Sequence, residues 1–598
     1  MAKKKVPIKY TARDFTTIKE QLVDYAKRYY PETYRDFKEV SFGSLMMDTV
    51  AYVGDILSFY LDYQANESFL DSAAEYRNVL RLSKQLGYVH RGNPSSVGMA
   101  DFFVVVPANN GGMGPNMDYV PILKKGSTFS STSGVTFLLT ENIDFTNPNN
   151  DIAVGQVNQT TGVPLSYAIK APGNVISGKI VTESFALGSY KRFRKIYLTA
   201  PYVAEILSVY DLDANEYYQV DYLSQDSIYK EVTNRADDNI AVPMVLRPYA
   251  VPRRFTLSTE GVASFLQFGF GSDAEDANIS PLEPSNFVLQ MHGRDYISDT
   301  SFDPSKLLQS NKLGVVPANT NMKVTYRVNL AGNVNAPVGS LSKVLTPTFS
   351  FKDSRKLNGN VVTEVMNSLE VFNDDPILGD IQNPTAEEIR IRTYDFFATQ
   401  NRAVTKKDYE AIMYALPPKY GALKRVSIIQ DPDSFKRNLN LYVLAEGADG
   451  FLAAAPQSLK ENLKIWLTQY KMMNDTIDIL DGQIINIGIN FEIFSDPDVN
   501  KYDVLTRCSS ALSTKYAEPL MLGEPFYITD IYTLLNAIPG VVDTKKVEIT
   551  LQQGGDYADT SLTNINELKS GDGRFLRAPV NAVFEIKFPS INIKGAIR

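Results

Sequence analysis

Near the start of the chain, Phe15, Ile18, Leu22, Tyr25 and Tyr29 recur at 3-4-3-4 spacing. That spacing predicts a helix with a coiled-coil seam, narrower than the stripe of a helix lying on a globular core. Thr11 and Asp14 stand at capping-box spacing before it, and Pro31 ends it. The next helix, about Ser44 to Phe69, inverts the pattern. Ser44, Asp48, Ala51, Asp55, Ser58, Asp62 and Ala65 form one narrow stripe of small or polar residues, and apolar side chains such as Val53, Ile56, Tyr60 and Tyr63 cover nearly all the rest. A helix apolar over most of its circumference must be surrounded. Two arrangements would surround it. One is an intrachain three-helix bundle, using the first helix and a third at about Ala73 to Leu86, capped by Ser72 and Glu75 and stopped by Gly87. The other is a bundle completed by helices from other chains.

From about Val97 to Pro347 the texture changes to alternating, β-branched and aromatic runs broken by Gly, Pro, Asn and Asp. Asp101 to Val106, Thr136 to Thr140, Lys195 to Thr199 and Lys323 to Val328 read as short antiparallel strands. Beyond Val371 helices and strands alternate. Asn383 with Pro384 opens a helix to about Thr399, and Thr405 with Asp408 caps another to Leu416. Strands at Leu423 to Gln430 and Asn438 to Ala445 precede a helix with Leu459, Leu463, Trp466 and Leu467 on one face. A long strand at Ile484 to Phe494, helices near Val499 to Tyr516 and Thr529 to Ile538, and strands at Val541 to Leu551 and Ala582 to Phe588 complete the pattern. The expected fold is multidomain α+β: a helical segment for an interchain bundle at 1–95, a β-rich middle region at 96–350, an α+β domain at 351–480 and a C-terminal α+β domain at 481–598.

Composition narrows the chemistry. The 598 residues carry 60 Lys plus Arg against 68 Asp plus Glu, a formal charge of −8, and 44% are apolar, as in a folded chain. One cysteine, Cys508, forbids an intrachain disulfide or a multi-cysteine zinc site, and fits a reducing cytoplasm during synthesis. Two histidines, His90 and His292, are too few for a His-rich metal site. The 34 Tyr and 31 Phe suit large contact surfaces, since Tyr buries a ring while keeping a wet hydroxyl, though a Tyr-rich core has the same composition. The most apolar stretch, Leu45 to Tyr63, contains Asp48, Asp55 and Asp62; each costs about 2.5–3.5 kcal/mol near a bilayer centre, which argues against a membrane span. No apolar run follows Lys3, Lys4 and Lys5, so no secretory signal is expected. The acidic balance argues against nucleic acid as a partner.

Catalytic motifs fail on inspection. Gly173, Gly178 and Lys179 match a phosphate-binding loop until Ile180 takes the place of the Ser or Thr that reaches magnesium. Gly269, Gly271 and Ala274 imitate a dinucleotide fingerprint, but Glu275 and Asp276 put negative charge where a pyrophosphate would sit. Neither histidine lies in a nucleophile context. Asp431 with Asp433, and Asp496 with Asp498, flank prolines and read as turns, although calcium could bind among such loops. No enzyme activity, cofactor or metal is expected.

The stretch Tyr10 to Tyr88 resembles the N-terminus of baseplate wedge subunits from T-even-like contractile-tailed phages, within the wider baseplate J-like proteins. Similar segments follow in order: Gly173-Asn174-Val175 and Gly332-Asn333-Val334, then Asn401 to Tyr409, then Ile528 to Val542 ending in Ile-Pro-Gly-Val. The resemblance implies a virion protein of the tail baseplate, assembled in the host cytoplasm. It implies that two copies join one copy of another wedge protein through a three-chain helical bundle, and that further wedge and sheath-proximal baseplate proteins bind the result. Six wedges would then close as a ring around the hub, whose rearrangement triggers sheath contraction. On that expectation Phe15, Ile18, Leu22, Tyr25, Tyr29, Val53, Ile56, Tyr60 and Tyr63 are bundle contacts, and Ile531, Leu534 and Leu535 belong to a C-terminal wedge-to-wedge interface. A receptor-binding or fibre-like tail protein is the alternative, and would show a repetitive β-rich C-terminus.

Overall fold

The computed structural model describes the chain apart from residues 1–13, 33–40, 91–93, 110–111, 234–243, 261–262, 272–312, 330–331, 354, 356, 432–437, 473, 561, 563 and 598. Thr11, Lys3 to Lys9, His292, Ala274 to Asp276 and Asp433 therefore lie outside the described residues. The architecture is multidomain α+β, and its contacts divide into two units: residues 1–90 with 384–400, and residues 91–383 with 401–598.

The first unit is helical. Asp14 caps α1 (Phe15–Tyr29) by accepting from the Thr17 amide, and Ser41 caps α2 (Phe42–Asn66) by accepting from the Ser44 amide. The third helix, α3 (Tyr76–Gln85), stops two residues before Gly87. Its cap departs from expectation. Glu75 occupies the N-cap position but its side chain makes no capping bond, and Ser72 donates to the Asn66 carbonyl at 2.7 Å. Glu67, just past α2, accepts instead from the amides of Ala74 (2.7 Å) and Glu75 (3.2 Å) and from Asn78 Nδ2 (2.7 Å). A buried carboxylate thus sits at the positive end of α3. The Asn78 bond above all holds the Glu67 carboxyl below its ordinary pKa, with the backbone amides adding to the effect.

A fourth helix, α4 (Ala386–Thr399), completes this unit from some 300 residues away in sequence. It is capped by Thr385, not Asn383, with Glu387 and Glu388 in its first turn. Sequence order placed it in the 351–480 domain, yet its packing is against α3.

The second unit begins with a seven-stranded sheet in the order β9 (Leu341–Thr346), β2 (Thr128–Ser131), β3 (Thr136–Leu139), β5 (Pro164–Ser177), β1 (Val97–Pro107), β10 (Glu370–Phe372), with β4 (Asp151–Val157) also paired to β5. Phe102, Phe129 and Phe137 fill its core. A three-stranded sheet joins β6 (Lys179–Leu187), β8 (Thr320–Val328) and β7 (Val203–Tyr210). Downstream, the Thr405–Asp408 capping box opens a helix at Lys406–Tyr414, as expected. That helix and another at Gln457–Thr468 share a core with strands Arg425–Gln430 and Asn438–Glu446. In the last part, strand Gln483–Ser495 pairs with Val541–Leu551 on one side and with Ala582–Glu585 and Ile593–Ile597 on the other, under helices Lys501–Lys515 and Ile528–Asn536.

Buried polar groups link distant segments within this unit. Arg327, 2% exposed, donates to Ser95 Oγ (2.8 Å), to the Ser177 carbonyl and to Glu205 (3.2 Å). Asn335 donates to the carbonyls of Asp380 (2.9 Å) and Glu446 (2.8 Å), and Glu446 pairs with buried Lys424 at 3.1 Å. Such groups are costly to bury unless each has a partner, and here the partners come from segments far apart in sequence.

Candidate assembly surface

In the N-terminal hairpin the apolar seam of α1 meets the least apolar face of α2. Ser44 and Ala51 are the buried residues of α2, Lys19 pairs with Asp48 at 2.7 Å, and a Cβ at Gly54 would lie 3.2 Å from Ile18 Cδ1. Small residues let the backbones approach, so the small-or-polar stripe is the one α1 fills. The seam of α1 is spent largely on this contact: Phe15, Ile18, Leu22 and Tyr29 are half-buried within the chain, while Tyr25 remains exposed.

What α2 leaves open has its own order. Met46, Val50, Val53, Leu57 and Tyr60 repeat at 4-3-4-3 spacing and are all exposed, Val53 least at 49%. Phe42, Leu45, Thr49, Tyr52, Ile56, Phe59 and Tyr63 repeat at 3-4-3-4-3-4; only Ile56 among them is half-buried. At 100° per residue, these seams point roughly 90° apart, and both face away from the stripe that holds α1. One packed helix covers an arc of about 100°, so this surface has room for two more. Covering such side chains is worth about 1.5–3 kcal/mol each. The intrachain three-helix bundle is not formed: α3 docks on α4 and leaves both seams open.

The segments flanking α3 hold α4 through specific bonds. Arg390 Nε donates to the Leu70 carbonyl at 2.8 Å and its Nη2 to the Ala73 carbonyl, while Nη1 pairs with Glu387 at 2.6 Å. Tyr394 Oη donates to Asp71 at 2.6 Å, which raises the phenol pKa. Phe396 meets Tyr88 edge-on, ring centroids 6.0 Å apart. Tyr63 Oη likewise donates to Glu75 at 3.1 Å, and that carboxylate pushes its pKa up.

Of the expected C-terminal interface residues, Ile531 and Leu535 are fully buried in the chain's own core and Leu534 is half-buried against it. The helix Ile528–Asn536 is short and amphipathic, and its apolar stripe is satisfied internally.

The motif decoys resolve into strand geometry. Gly173 lies within β5 and Lys179 opens β6; Gly178 between them has φ +127°, and no helix N-terminus follows to hold a phosphate. At Gly269 the neighbouring chain passes so close that a side chain would meet the Leu313 carbonyl. Asp496 accepts from the Asp498 amide at 3.1 Å, as in a turn. Among the described residues no group of three His, Cys, Asp or Glu is placed to hold a metal. Two cavities of about 340 and 330 Å³ flank Glu585, whose oxygens accept from the Leu452 amide (2.8 Å) and Asn486 Nδ2 (2.9 Å). Burial raises the Glu585 pKa. No helix among the described residues is long and apolar enough to cross a membrane.

Residues 14–85 match the family described as bacteriophage baseplate protein, N-terminal domain. The match spans α1 to α3 and stops before the β-rich region. Among solved structures, 97% of the chain aligns with all of a chain from the anti-feeding prophage (AFP) baseplate, at 10% identity and a TM-score of 0.23. Another alignment covers 73% of the chain and 96% of a chain from the type VI secretion system TssK-TssF-TssG baseplate subcomplex, at 9% identity and a TM-score of 0.24. No curated protein matches the sequence.

Proposed function

We propose that the chain is a structural subunit of a contractile-tail baseplate, working through helix-mediated assembly. The carrying observation is the pair of open heptad seams on α2, opposite the stripe that α1 occupies. The family match over residues 14–85 supports the baseplate setting. In this reading α2 is the inner helix of each hairpin and α1 the outer one. The two open seams take helices from a second copy and from one different wedge protein, giving a 2:1 heterotrimer. Wedges built this way then join into a ring around the hub, and a change in ring geometry releases the sheath. The role requires no catalysis, cofactor, nucleic acid or membrane.

The test is the native mass by light scattering, for this chain alone and after co-expression with the other baseplate proteins. A stable 2:1 heteromer that assembles further supports the reading. A well-behaved 66.6 kDa monomer indifferent to every tail protein would overturn it.

A further inference from the structure

Strand β4 is an edge strand of the seven-stranded sheet. Among the described residues it pairs with β5 alone, Asp151 to Val154 lying opposite Lys170 to Tyr167. All seven of its residues are exposed. Its far side is therefore a row of main-chain N–H and C=O groups of the kind an added strand completes.

Two rows of side chains end at this edge. Val104, Ile169 and Ile152 lie side by side across β1, β5 and β4, and so do Val106, Tyr167 and Val154. Val104, Val106 and Ile169 are buried core residues, whereas Ile152 and Val154 are 47% and 50% exposed. Both rows stand on the face of the sheet that holds the core. Lys and Pro, which commonly blunt such edges, are absent from 151–157, and a bulge at Gly155 ends the regular part.

The sequence of this edge is complementary to itself. Two copies of β4 set antiparallel about Ala153, with their core faces on the same side, place Ile152 of each opposite Val154 of the other. Ala153 meets Ala153, and Asp151, the strand's one charge, falls opposite Gly155 and not a second carboxylate. We propose that β4 pairs with β4 of a second copy, joining two sheets into one across a two-fold axis. So short a contact buries far less than the roughly 1,600 Å² of a stable interface, and it needs copies already held together. It thus rests on the reading that the assembly contains two copies of this chain.

The experiment places one thiol on the edge, where Cys508 cannot compete because it is buried. Full-length Ala153→Cys and Gln156→Cys chains are each co-expressed with the other baseplate proteins, and the purified heteromers are oxidised with copper phenanthroline. Thiols at position 153 would meet within disulfide reach, whereas those at 156 would stand about 20 Å apart along the paired strands. Ala153→Cys should form a covalent dimer of this chain at least tenfold faster than Gln156→Cys. Adding Ile152→Lys with Val154→Lys should abolish it. Hydrogen exchange on the unmutated protein is free of folding defects: every second amide from 151 to 155 should slow at least tenfold in the heteromer. Equal crosslinking at both positions with unchanged exchange overturns the edge assignment and leaves the bundle reading intact. Slowed exchange without an Ala153→Cys crosslink means that another chain's strand takes the edge, which also overturns it. A native mass that fits a single copy removes the two-copy reading itself, and with it the tether the edge contact needs.

Discussion

Arg390 reaches Leu70 across 320 positions of sequence, its Nε 2.8 Å from the Leu70 carbonyl. With the Ala73 carbonyl taken by the same guanidinium, one side chain closes the turn between α2 and α3 onto α4. Arg390→Met keeps the aliphatic stem and leaves both carbonyls without their donor. The expected loss is about 2 kcal/mol in the stability of the helical unit. It should register as faster hydrogen exchange across residues 70–85, with the exchange of the second unit unchanged.

Ala51 is fully buried against α1, and Leu57 faces solvent on the opposite side of α2. Ala51→Leu should overpack the hairpin and destabilise the free chain by about 1–3 kcal/mol. Leu57→Asp should leave the free chain's unfolding midpoint nearly unchanged. Circular dichroism melts of both variants settle the orientation of α2. If Leu57→Asp proved the more damaging of the two, the apolar seam would be the one facing α1.

Much of this architecture is legible locally. The Thr405–Asp408 box, the 3-4 seam of α1 and the strand at Val541–Leu551 are short-range patterns, and each element forms where its pattern lies. The small-or-polar stripe of α2 is equally visible. Its direction is not, because the usual rule turns an apolar face inward, whereas here Gly54 and Ala51 win by allowing close backbone approach. Helix α4 could not be assigned to its neighbours from sequence. Nothing within its own 14 residues marks Leu70 or Tyr88 as partners. The same limit explains Ile531 and Leu535: a short amphipathic stripe looks alike whether it covers its own sheet or a neighbouring subunit.

Asp380 accepts from the Val334 amide at 3.0 Å, and burial, reinforced by the Glu446 carboxylate, raises its pKa to about 6. The folded chain therefore holds this proton more tightly than the unfolded one, whose carboxyl titrates near 3.8. The resulting stabilisation is fully present below the unfolded value and is lost as pH rises through about 6. Asp380→Asn should remove that dependence. Denaturant unfolding at pH 4 and pH 7 should show the unmutated chain losing on the order of 2–3 kcal/mol relative to the variant over this interval.

Cys508 is fully buried in the C-terminal core, and burial pushes its thiol pKa up. A bulky maleimide should leave the native protein unlabelled for hours at neutral pH and modify it stoichiometrically in denaturant. Rapid labelling of the native chain would mean that the helix Lys501–Lys515 opens readily.

The long separation between α3 and α4 also sets an order of events during synthesis. At about 5–20 residues per second, the ribosome takes on the order of 15–60 s to add the residues between them. Throughout that interval Arg390 and Phe396 have not yet been made, so Tyr88 and the carbonyls of Leu70 and Ala73 lack those partners. The N-terminal helices are thus first to be made and among the last to be finished, and in the meantime the nascent chain carries an adhesive end that must be kept from the wrong neighbour.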